Sequence, residues 1–266
     1  MTTSELIGVF DSGVGGLTVA ERLQEALPAL SFIYYGDTAH VPYGDREAKE
    51  VVGLIDKICR HLLQSGAQAL VMACNTSSAL AYEHVLSWSP RPVIGIIAEA
   101  AEAAAQATRE GKVGIMANPL TAASGAYERE LVRQAERHEL GCVEGKAIGC
   151  PRLVPFIERG EVEGPAVEEA LRAYWQPLER WGADTLILGC THYPFLRPVL
   201  SKLVGPEVTI IDPAYYVAKR LQSLGLGNGA GQRQISYQVS GDPQDFARVG
   251  AQLLGRPLEP VIQVKL

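Results

Sequence analysis

Ser65-Gly-Ala-Gln-Ala-Leu-Val-Met-Ala-Cys74-Asn-Thr76 and Trp181-Gly-Ala-Asp-Thr-Leu-Ile-Leu-Gly-Cys190-Thr-His192 follow one plan: a turn glycine, an apolar run, a small residue, then cysteine. Gly66 and Gly182, Ala67 and Ala183, Leu70 and Leu186, and Cys74 and Cys190 coincide at a constant offset. Such an apolar run reads as a parallel strand buried on both faces, and a residue just past it lies at the carboxyl edge, where open α/β sheets hold their ligands. Two such edges facing each other would place two thiols on opposite sides of one substrate.

Outward from these stretches, short β-rich runs (Leu6–Phe10, Phe32–Tyr35, Ala69–Ala73, Val93–Ile97, Val113–Met116, Leu186–Leu188 and Val208–Ile211) alternate with helix-period segments. The helical segments are Thr18–Leu27, Glu47–Gln64, Ala98–Arg109, Ala122–Arg137 and Gly164–Trp181. This alternation predicts an α/β protein with parallel sheets flanked by helices. Lys112-Val-Gly-Ile-Met-Ala-Asn-Pro119 restarts the pattern much as Ile7-Gly-Val-Phe-Asp-Ser-Gly13 began it. The chain reads as a duplication: two similar domains, 1–97 plus 212–266 and 98–211, related by a pseudo-twofold axis, with the site in the cleft between them. Gln234–Val239 and Pro260–Val264 are short strands expected to return to the first domain, and Gly225–Gly231 reads as an exposed loop.

With 266 residues, 47 % apolar and 20 % charged, the chain can bury a sizeable core. A net charge of −6 without a Lys/Arg cluster argues against a nucleic-acid or anionic-membrane surface. No basic segment precedes an apolar stretch near the start and no run of about 18 apolar residues occurs, so a cytosolic protein is expected. Five widely spaced cysteines match neither a disulfide framework nor paired zinc ligands, so reduced thiols are expected.

Free cysteine is usually a small buried hydrophobe, and Cys59, Cys142 and Cys150 are read that way. Cys74 and Cys190 differ because Asn75-Thr76-Ser77-Ser78 and Thr191-His192-Tyr193 crowd donors behind them. Asp11, leaving the first strand, and His192 each set an ionisable group near one thiol. Alone, Asp11 would read as an Asx turn or cap and His192 as a surface histidine. Gly8-Val-Phe-Asp11-Ser12-Gly13-Val-Gly15-Gly16-Leu-Thr18 suits an anion, but the dinucleotide fingerprint lacks its third glycine, although Asp37 stands where its acid would. The glycines are expected instead to admit a small ligand to the backbone. Asp37-Thr-Ala-His-Val-Pro42-Tyr43-Gly44 forms a further polar loop after a strand.

Phe10-Asp11-Ser12-Gly-Val-Gly-Gly-Leu17, Gly36-Asp37-Thr-Ala-His-Val-Pro42-Tyr43-Gly44, Ala73-Cys74-Asn75-Thr76, Cys150-Pro-x-x-Val-Pro-x-Ile-Glu158 and Gly189-Cys190-Thr191-His192-Tyr-Pro194, in this order, resemble the glutamate racemases. The resemblance covers essentially the whole chain. It implies cofactor-independent interconversion of L- and D-glutamate, supplying D-glutamate for peptidoglycan, by a homodimer with no resident metal. It implies that Cys74 takes the α-proton from the D-enantiomer and Cys190 from the L-enantiomer, with Asp11 assisting Cys74, His192 assisting Cys190 and Glu158 as an auxiliary acid. Asp11, Ser12, Pro42, Tyr43, Gly44, Asn75, Thr76, Thr191 and His192 would then meet the substrate. Asp212-Pro213-Ala214 departs from the family's more usual Asp-Ser-Ala. The short segment ahead of Phe10 further implies no activation by a cell-wall precursor.

Other readings share some of these features. An aspartate- or hydantoin-type racemase would keep the paired cysteines, whereas a one-cysteine isomerase or decarboxylase would leave one unused. A metal-dependent hydrolase could recruit Cys190, His192 and Asp11 as ligands, although their spacing matches no ligand run. A two-lobed binding protein would explain the duplication and leave both thiols idle.

Overall fold

The computed structural model describes residues 5–43, 46–227, 233–258 and 260–266, and Gly44 and much of the Gly225–Gly231 loop lie outside them. Backbone contacts divide the chain into Met1–Ile96 with Ala214–Leu266, and Ile97–Pro213.

The first unit runs β1 (Leu6–Asp11), α1 (Leu17–Ala26), β2 (Ser31–Gly36), α2 (Ala48–Gln64), β3 (Ala69–Met72), α3 (Asn75–Trp88) and β4 (Val93–Gly95). The second follows with α4 (Ile96–Ala107), β5 (Lys112–Ala117), α5 (Pro119–Ala123), α6 (Ala126–Arg137), β6 (Glu144–Gly149), α7 (Leu153–Glu158), α8 (Pro165–Trp181), β7 (Thr185–Gly189), α9 (Arg197–Val204) and β8 (Thr209–Ile211). The chain then returns to the first unit through α10 (Pro213–Ser223), β9 (Ile235–Val239), α11 (Pro243–Leu254) and β10 (Val261–Gln263).

One sheet has the order β10-β9-β2-β1-β3-β4 and the other β6-β5-β7-β8. Every pairing is parallel. Matching β1 with β5, β2 with β6, β3 with β7 and β4 with β8 gives one strand order twice, with β9 and β10 added beyond β2 in the first sheet. Cys74 and Cys190 follow equivalent strands.

Burial explains why these segments are strands. All of β2 and β3 and nearly all of β1 are buried, as expected with helices covering both faces. On α2 the buried Val51, Ile55, Ile58, Cys59 and Leu62 recur at helical spacing and form one face of the core. Each fully buried aliphatic side chain there is worth about 1.5–3 kcal/mol. Gly8 lets α2 close on β1: a Cβ at that position would lie 2.9 Å from Leu62 Cβ. Alanine there would overpack the core by about 1–3 kcal/mol.

Four readings need correction. The run Val93–Ile97 is strand only to Gly95, and α4 begins at Ile96, because a short β-branched run suits strand and helix alike. The segment Ala122–Arg137 is two helices, α5 and α6, parted by Gly125 at φ 64°, a left-handed turn that neither helix can continue through. Cys142 is exposed, on the connection from α6 to β6 rather than in the core. Within the glycine-rich turn, Gly16 serves close packing rather than ligand access, because a Cβ there would lie 2.5 Å from Asp11 Cβ. Among the described residues no helix is long and apolar enough to cross a membrane.

Candidate active site

In the first unit, β3 ends at Met72 and α3 starts at Asn75, so Cys74 falls at the helix N-cap with its thiol accepting the Ser77 N–H at 3.4 Å. The same sulfur lies 3.6 Å from Ser12 Oγ. A helix N-terminus and hydroxyl donors favour a thiolate. Burial nevertheless raises the Cys74 pKa above its ordinary value and the nearby Asp11 raises it further, while Ser77 and Ser12 pull it down. Burial prevails because Cys74 is 6 % exposed. Ionising this thiol therefore needs a further favourable partner at the moment of reaction.

Asp11 ends β1, and its Oδ2 accepts the Gly13 N–H at 2.9 Å in an Asx turn. The Asx-turn reading of this residue holds, and the turn fixes a buried carboxylate near Cys74. Asn75, Thr76, Ser77 and Ser78 make a buried first helical turn behind the thiol. Ser77 was not singled out from sequence. The legible signal is its place three residues after a cysteine that follows a strand, which is N-cap spacing.

Asp37 is buried and fully engaged: Tyr43 Oη donates to Oδ2 at 2.7 Å and His40 Nδ1 lies 2.7 Å from Oδ1. It organises the 37–43 loop and is not poised for a ribose. Burial and Asp37 hold the Tyr43 phenol above its ordinary range, so its hydroxyl remains a donor committed to Asp37. Pro42, joined to Val41 by a cis peptide, is exposed.

The second unit equips its thiol differently. Cys190 follows β7 directly, but Pro194 and Pro198 lack the N–H groups an immediate helix would use. A 3₁₀ turn, Tyr193–Leu196, intervenes before α9. In place of a helix N–H, Cys190 Sγ has His192 Nδ1 at 3.8 Å, and His192 Nε2 has Glu158 Oε1 at 3.2 Å. The thiol, imidazole and carboxylate form a line of the kind that positions and activates a proton-transfer group. Glu158 is the last residue of α7, reached through Cys150-Pro151. Burial pushes the Cys150 thiol up to about 12, so it stays protonated and inert. Tyr193, whose Oη donates to the Cys150 carbonyl at 3.3 Å, is buried near Cys190.

The described residues thus assemble Asp11, Ser12 and Cys74 in one unit, and Glu158, Cys190 and His192 in the other. Thr191 is buried beside Cys190 in sequence. Pro213 opens α10, a place where its fixed φ is favourable. No group of three or more His, Cys, Asp or Glu among the described residues could hold a metal ion.

Residues 7–221 match the family model for Asp/Glu/Hydantoin racemase. A glutamate racemase from Desulforudis audaxviator is 41 % identical over 271 aligned positions, covering 98 % of this chain and 97 % of that one. The crystal structure of a glutamate racemase isoform from Bacillus anthracis superposes with a TM-score of 0.90 at 33 % identity, covering 100 % of this chain and 99 % of the other. A glutamate racemase from Francisella tularensis, solved in complex with D-glutamate, gives a TM-score of 0.87 at 30 % identity over 99 % of this chain and 97 % of that one. Sequence and fold agree along the full length, and the chain belongs to the Asp/Glu/Hydantoin racemase family, among its glutamate racemases.

Proposed function

We propose that this protein racemises glutamate by a two-base reaction at the α-carbon, one thiol acting on each face. The observation that carries the proposal is the paired cysteines after equivalent strands, each with its own ionisable neighbour: Asp11 near Cys74, and His192 bound to Glu158 beside Cys190.

The chemistry explains why two unlike thiols are wanted. An α-hydrogen between an ammonium and a carboxylate is very weakly acidic, so preorganised donors and a poised base must supply the driving force. In the D-to-L direction the Cys74 thiolate takes the α-proton, leaving the bonding pair on the α-carbon. The Cys190 thiol then delivers its own proton to the opposite face. Cys74 ends as thiol and Cys190 as thiolate, and the L-to-D direction reverses both roles. His192 stabilises the Cys190 thiolate and Asp11 steers the proton near Cys74.

Ser12, Asn75, Thr76 and Thr191 supply hydroxyl and amide groups to the amino acid, and Pro42, Tyr43 and Gly44 are further substrate contacts implied by the family motif. The reaction uses no cofactor and yields D-glutamate for peptidoglycan. The enzyme works in the cytoplasm as a homodimer.

The decisive experiment incubates the purified, chelator-treated protein with L-glutamate in D2O without pyridoxal phosphate, following optical rotation and α-deuterium together. Loss of rotation with deuterium in the newly formed enantiomer is expected, and Cys74→Ser and Cys190→Ser should each lower kcat by about 10³-fold or more. Unchanged rotation would overturn the glutamate assignment. Full activity in both serine variants would overturn the two-base mechanism.

A further inference from the structure

We propose that Tyr34 is a positioning residue for the Cys74 half-reaction, its hydroxyl clamping the turn that carries Asp11. This rests on the two-base reading above and adds to it a residue outside the motifs that identify the family. Tyr34 sits on β2, paired with Val9 of β1, and is fully buried. Its Oη donates to the Gly13 carbonyl at 2.8 Å, while the Gly13 N–H donates to Asp11 Oδ2 at 2.9 Å. The backbone polar groups of a single residue are therefore held by the carboxylate on one side and the phenol on the other.

Gly16 makes the clamp possible. A Cβ there would lie 2.5 Å from Asp11 Cβ and 2.8 Å from Tyr34 Oη, so any side chain would push the two apart. The phenol ring is itself fixed, with Tyr237 at 6.2 Å and Phe246 at 5.9 Å between ring centroids. Burial, then the neighbouring Asp11 and Cys74, keep Tyr34 well above the usual phenol pKa, so its hydroxyl remains a donor. Without that donor the Gly13 carbonyl is left buried and unsatisfied, and the turn must shift to find a partner. Asp11 moves with it.

Enantiomers have equal free energy, so kcat/KM must fall equally in both directions whichever half-reaction is damaged. Isotope effects separate the halves. If Tyr34→Phe raises the barrier at Cys74 alone, the deuterium effect on kcat/KM grows for α-deuterated D-glutamate and shrinks for α-deuterated L-glutamate, relative to wild type. The expected loss in kcat/KM is about tenfold, the rate equivalent of one misplaced buried hydrogen bond. Tyr35→Phe is the control, because Tyr35 Oη donates to the Val264 carbonyl at 2.8 Å, away from this turn. It should leave both isotope effects at their wild-type values.

A slower Tyr34→Phe enzyme with unchanged isotope effects would overturn the assignment, reducing Tyr34 to ordinary packing. The same opposed shifts in Tyr35→Phe would also overturn it. Should Tyr34→Phe fail to fold, 3-fluorotyrosine at position 34 keeps ring and hydroxyl while altering donor strength, and opposed shifts are again required. Wild-type protein that exchanges no solvent deuterium would overturn the two-base reading itself, a result distinguishable from failure of the clamp alone.

Discussion

Glu158 and His192 meet at 3.2 Å, Oε1 to Nε2, across 34 residues of sequence. The Glu158 side chain is 44 % exposed and that of His192 only 11 %, so the two partners carry unequal weight. A half-exposed carboxylate contributes modestly, about 0.2–1 kcal/mol, to an ion pair. Glu158→Gln should therefore lower kcat only several-fold. His192→Asn removes the group that faces the sulfur and should cost about 10²-fold. Steady-state rates of both variants in both directions test this ordering, and equal losses would contradict it.

Asp37 supports the 37–43 loop through Tyr43 and His40. Tyr43→Phe leaves a buried carboxylate oxygen without its donor and should destabilise the protein by about 1–3 kcal/mol. Urea midpoints measure the loss, and KM should rise if, as proposed above, this loop contributes to the substrate site. An unchanged KM would remove that loop from the binding site.

Alkaline pH should weaken the fold. Cys74 and Cys150 have folded pKa values above those of an unfolded thiol, Cys150 at about 12. A raised folded pKa gives stability that is fully present below the unfolded value, about 8.5, and is lost as pH climbs through the folded value. Urea midpoints should hold steady up to about pH 8 and decline from there toward pH 12. Cys150→Ala should flatten part of that decline.

Much of this architecture was legible because parallel strands buried on both faces must be apolar, as Ala69–Met72 and Thr185–Gly189 are. Strand β6, Glu144-Gly-Lys-Ala-Ile-Gly149, escaped notice because it forms a sheet edge with no fully buried residue. Helix α3 escaped for another reason: its first turn is polar yet buried, so no apolar stripe announces it. The thiols of interest stand out through their flanking donors, whereas Leu140, Gly141 and Val143 around Cys142 give no such signal and nothing in sequence marks it as exposed. The Tyr34 hydroxyl left no trace in sequence, because its partner is a backbone carbonyl.

The prolines after Cys190 also set how the two sulfurs meet outside reagents. Cys74 is closed in behind a helix cap, whereas Cys190, denied that cap by Pro194 and Pro198, is partly open and faces an imidazole. An alkylating electrophile should label Cys190 before Cys74, and peptide mapping after brief iodoacetamide treatment would record the order. A covalent inhibitor of this enzyme would thus enter through the half where the chain begins its helix late.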